Sequence, residues 1–68
     1  MELNLYDIVR IKKTGETGFV TDISWDEEDG SVSQYLVEKD NVTADGEHET
    51  EWLYPEEIKY IDKNKGLA

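Results

Sequence analysis

The chain has 68 residues, no cysteine, and seventeen acids against seven bases, for a net charge of −10. At this size a domain buries only about 60% of its unfolded surface, so it has a small core. Without thiols it also has no disulfide or thiolate metal site to staple it. The charge disfavours a duplex nucleic-acid binder, because phosphate neutralisation by cations supplies most non-specific affinity.

Apolar residues make up 37% and charged residues 35%, yet the β-branched and aromatic side chains are grouped into runs, as in a folded rather than a disordered acidic chain. No segment approaches the roughly 18 consecutive apolar residues of a membrane span. The opening residues 1–6 lack the basic and apolar regions of a secretory signal. A cytoplasmic protein with no membrane partner is expected.

Five extended segments follow one another. The first, residues 7–12, alternates Val9 and Ile11 against Arg10 and Lys12, the period of a strand with one wet face. Residues 14–18 supply a turn in which Gly15 and Gly18 are both free to take positive φ. The second strand, 19–25, breaks strict alternation, so a bulge is expected near Thr21 and Asp22. Residues 26–31 carry four adjacent carboxylates and an Asp-Gly pair, the mark of a solvated hairpin.

The third strand, 32–38, places Tyr35 and Val37 on one face. A polar stretch at 40–46, again with Asp-Gly, leads to a fourth strand at 49–54. Pro55 followed by Glu56 and Glu57 suits one helical turn, since proline pre-sets its φ and acids favour that end. A short fifth strand at 58–61 closes residues 1–62 as one domain, with 63–68 as a flexible tail. Val9, Ile11, Val20, Ile23, Tyr35, Val37, Leu53 and Ile58 are the expected core. The element order predicts an all-β fold: a small, five-stranded SH3-like barrel with a short helical turn before the last strand, its first and last strands paired.

Asp7-Ile8-Val9-Arg10-Ile11, the turn from Gly15 to Gly18, and then Val20 and Ile23 resemble a KOW-type segment over residues 6–23. That resemblance implies an SH3-like barrel, and contact with RNA or RNA-bound proteins through basic residues. Here the loop carries Glu16 instead. The end of the chain, through Trp52-Leu53-Tyr54-Pro55, is similar in outline to SH3-like and Tudor-like barrels.

The charge is unevenly placed. Residues 14–58 hold fourteen acids and Lys39 alone among bases, whereas residues 1–13 are +1 and 59–68 are +2. Pairing of the terminal strands predicts a basic strip of Arg10, Lys12 and Lys59 on one outer face. Such a strip either meets a partner or simply guards an edge. The surrounding acidity serves solubility or imitates nucleic acid toward a basic protein.

Phe19, Trp25, Tyr35, Trp52, Tyr54 and Tyr60 exceed the needs of one small core. Trp25, Trp52 and Tyr54 are therefore the candidate protein-binding residues. The run from Asp26 to Asp29 lacks the ligand spacing of a calcium loop. His48, the sole histidine, stands between two glutamates, and no nucleophile–base arrangement or phosphate loop can be placed. No catalytic residue, metal or cofactor is assigned. The expected function is a non-enzymatic protein-interaction module; the alternatives are a KOW-type nucleic-acid-associated module and an acidic nucleic-acid mimic.

Overall fold

A computed structural model describes residues 3–63. Strands β1 (Ile8–Ile11), β2 (Thr17–Trp25), β3 (Val32–Val42), β4 (His48–Leu53) and β5 (Ile58–Asp62) occur in chain order, with a 3-10 turn at Pro55–Glu57 before β5. All pairings are antiparallel and build one sheet in the order β4-β3-β2-β1-β5. The terminal strands pair as expected, Ile11 opposite Ile58 and Arg10 opposite Lys59. The expected closed barrel is not formed: no ladder joins β4 to β5, and the sheet is open with those two strands at its edges. The chain crosses from one edge to the other through the Pro55–Glu57 turn. Its proline has no N–H to give to a ladder, and the Glu57 carbonyl accepts instead from the Lys12 N–H just past β1.

Three hairpins close on glycines with positive φ, Gly15 at 78°, Gly30 at 73° and Gly46 at 82°, where an L side chain would crowd its own backbone. Gly18 departs from expectation. It lies inside β2 rather than in the turn, and a Cβ there would meet the Glu38 carbonyl oxygen at 2.3 Å. This glycine is needed for close strand approach, not for turning.

The bulge expected near Thr21 falls between Val20 and Asp22, and a second shift lies between Ser24 and Trp25. Strand β3 runs to Val42, past the expected end at residue 38. The turn that ends it forms late, where the Thr43 N–H donates to the Glu47 carbonyl and the Gly46 N–H to that of Thr43. Backbone pairing there overrides a mostly polar sequence that is exposed beyond Lys39. Asp62 belongs to β5, and residues 64–68 of the expected tail lie outside the described residues.

The core face holds Val9, Ile11, Val20, Tyr35, Val37, Leu53 and Ile58, all buried, while Ile23 is half-buried against them. Leu3 completes the core unannounced by any periodicity. Its N–H donates to the buried Tyr35 hydroxyl (3.1 Å), and the segment is pinned by the Tyr6 N–H on the Val20 carbonyl and the Asn4 N–H on the Asp7 carboxylate. Burying one leucine stabilises by about 1.5–3 kcal/mol, a large share for so small a domain.

Candidate functional site: an aromatic and acidic sheet edge

Successive strand residues face opposite sides of a sheet, so the register sorts every candidate. Tyr35 and Val37 of β3 point into the core, so Leu36 between them points out, and with it its partners Asp22 on β2 and Trp52 on β4. Tyr54, two residues beyond Trp52, continues this outer row. It is held by the Glu57 carboxylate, which accepts from the Tyr54 N–H at 2.9 Å, and its carbonyl accepts from the Glu57 N–H. Trp52 is 42% exposed and Tyr54 52%, although both carry rings large enough to anchor a core.

Trp25 stands elsewhere. It lies two residues past Ile23 and opposite Val32, both of which pack against the core, so it occupies the far end of the core face with 52% of its surface free. The register thus separates the two tryptophans onto opposite faces. The one ring pair among the described residues is Tyr6 with Phe19, centroids 6.5 Å apart, so Trp25, Trp52 and Tyr54 assemble no aromatic cage there.

The basic strip is brought together. Arg10 pairs directly with Lys59, Lys12 follows just past β1, and all three are exposed. None of them makes an ion pair among the described residues, where both salt bridges belong to Lys39. On its other side Arg10 faces Thr17, whose hydroxyl donates to the Asp40 carboxylate at 2.5 Å. Like charges directly opposite each other are mildly unfavourable in a ladder.

Lys39 is the residue that sequence patterning missed. It lies on the core face, only 8% exposed, with its ammonium 3.3 Å from Glu51 and 3.6 Å from Glu16. Burial alone would lower its pKa. The Glu51 hydrogen bond and the neighbouring Glu16 and Glu49 charges outweigh that and raise it. Hydrogen bonding from Thr14, with the Lys39 charge and the Asn41 amide, holds the Glu16 carboxyl below the usual range despite partial desolvation. A signal did exist: Lys39 is in phase with Tyr35 and Val37, and it is the one base in a long acidic stretch.

Beside it, β3 carries extra residues against β4, the register shifting between Glu38 and Val42. The Lys39 carbonyl lies 2.9 Å from the His48 Nδ1. A carbonyl can only accept, so that nitrogen bears the proton. His48 therefore acts on a backbone group beside the bulge.

In the run from Asp26 to Asp29, the two aspartate carboxylates are turned onto their own hairpin. Asp26 accepts from the Glu28 N–H, and Asp29 from the Ser31 N–H and hydroxyl, which also holds the Asp29 carboxyl below its usual range. Among the described residues no group of three His, Cys, Asp or Glu side chains is placed to hold a metal, and no helix is long and apolar enough to cross a membrane. No family model, curated protein or solved structure matches the chain.

Proposed function

We propose that the chain is a non-enzymatic, SH3-like module that binds another protein through the outer face of β4. The observation that carries this reading is the pair of exposed rings at the sheet edge, Trp52 on β4 and Tyr54 just past it, beside the half-buried Leu36 of β3. Large amphipathic rings at low entropic cost are the side chains that anchor interfaces. The strand order, the paired terminal strands and the helical turn before β5 support the SH3-like architecture. Trp25, on the opposite face, is a separate surface and not part of this contact.

A second reading rests on the direct pairing of Arg10 with Lys59, the cationic surface a KOW-type nucleic-acid-associated module needs. It has to act against a net charge of −10. The test is affinity capture of the partner from the native host, followed by calorimetry on variants. Trp52→Ala should keep the fold and weaken the complex by more than about 1 kcal/mol. The double reversal Arg10→Glu and Lys59→Glu should change it far less. RNA or DNA binding near physiological salt that disappears on that reversal would transfer the assignment to the nucleic-acid reading.

A further inference from the structure

The two sheet edges differ in charge, and the difference says what can dock on them. No backbone hydrogen bond beyond those of its ladder with β3 is made by residues 48–53, so the outer side of β4 is open among the described residues. Residues 45–57, which contain β4, carry six acids and no lysine or arginine; residues 58–63, containing β5, carry two lysines and one aspartate. Charged side chains on an edge normally keep other strands away. A uniformly acidic edge excludes only strands that are neutral, apolar or acidic, and attracts basic ones.

We infer that the occupant of this edge is an extended lysine- or arginine-rich segment of another protein, added alongside β4 as a further strand. The inference rests on the proposed protein-binding role and specifies its partner. On the outer face an incoming strand meets Trp52 and Thr50. On the other it meets Glu49 and Glu51, the latter already shared with Lys39. Backbone pairing supplies affinity in strand addition, and alternate side chains supply selectivity. Cationic side chains on the core-face positions then meet carboxylates. On the outer positions their aliphatic stems cover the indole, with the charge near its π face. A second copy of the chain would bring one strongly acidic surface onto another, and a polyanion is repelled by the same field.

The test is an amide-resolved NMR titration of the full chain with a peptide of about ten alternating lysines and valines, a length that spans a strand of this size. Three matched peptides accompany it: threonine–valine, glutamate–valine, and the lysine peptide N-methylated at alternate residues so that it cannot pair. Saturable shifts centred on residues 49–54, with slowed amide exchange there, are expected for the lysine peptide alone. Its affinity should fall at least about tenfold between roughly 50 and 300 mM salt, as the surface charges are screened. Trp52→Ala, and separately Glu47→Gln with Glu49→Gln and Glu56→Gln, should each weaken it about fivefold or more.

Equal binding by the N-methylated peptide would overturn strand addition, and equal binding by the threonine peptide would overturn the charge selection. Shifts on β5, or no saturable shift at millimolar peptide, would overturn the proposal entirely. The wider protein-binding reading fails separately, only if Trp52→Ala leaves the captured native partner unaffected.

Discussion

Val37 and Lys39 lie two residues apart on the same face of β3, and both are buried, but they hold the sheet by different means. Around Val37 the core face is mainly apolar, with Tyr35, Leu53, Val20, Val9, Ile11 and Ile58 in one cluster and Leu3 folded over it, and only Glu51 opposite on β4 carries charge. Around Lys39 the same face becomes an ammonium between two carboxylates, with the Asn41 amide donating to Glu16 at 2.7 Å. Burial is similar, but its energetic meaning is not. Apolar burial stabilises in proportion to area, whereas a buried ion pair must first repay desolvation. The apolar end should therefore supply the stability, and the charged end should set where the sheet stops being a core and becomes an exposed arm. Beyond Lys39, every residue from Asp40 to Thr50 is exposed.

The largest effect that would sharpen this contrast is at Tyr35. Truncation to alanine removes the central ring and the hydroxyl that accepts the Leu3 N–H, and should cost about 3–5 kcal/mol in urea unfolding. A loss much below that would mean the N-terminal segment does not close the core. Val37→Ala should cost on the order of 2 kcal/mol. An unmoved unfolding midpoint would remove Val37 from the core.

At the charged end, Lys39→Met keeps the aliphatic stem and removes the ion, and because the Glu16 and Glu51 carboxylates left behind are partly exposed and can rehydrate, stability should change by less than about 1 kcal/mol. Lys39→Ala also loses the packing of the stem and should cost more than the methionine variant. If the two variants were equally destabilised, by more than Val37→Ala, the ion pairs would be the main support and the contrast between the two ends would collapse.

The smallest effect is with pH. The Glu16 carboxyl is held below its usual range, so its contribution is complete above the unfolded glutamate pKa and is lost as pH falls through the lower folded value. The Lys39 pKa is raised, so its contribution is complete below the ordinary lysine pKa and is lost only as pH climbs through the folded value. These two groups leave stability level between those limits. Glu16→Gln should flatten the acid limb in pH-dependent thermal unfolding, and an identical limb in that variant would show that other carboxylates govern it.

Much of this fold is written in local pattern. The alternation of Val9 and Ile11, the in-phase Tyr35 and Val37, the broken alternation at Thr21 and the Asp-Gly pairs each reflect the two-residue period of a strand or the φ freedom of glycine. All of these lead to elements that are present. Leu3 was not legible, because a lone leucine in an aperiodic stretch carries no period; a single hydrogen bond to a tyrosine 32 residues away holds it. Gly18 looked like a turn residue because glycine in sequence reports only permissiveness, and only the approach of Glu38 shows what is permitted.

The candidate site divides along the same line. The identities of Trp25, Trp52, Tyr54, Arg10, Lys12 and Lys59, and the concentration of acid between residues 14 and 58, are properties of the chain alone. Whether those groups meet depended on register, which carries no local signal. One alignment of strands puts Arg10 beside Lys59 and Trp52 beside Leu36, while a bulge and the phase of β2 leave Trp25 on the other face. A slip of one residue would reverse every face. Local periodicity therefore determined which segments became strands. The tertiary structure alone decided that the sheet stays open, that Lys39 is buried, and that the acidic edge carries the exposed rings, because each depends on contacts between residues far apart in the chain.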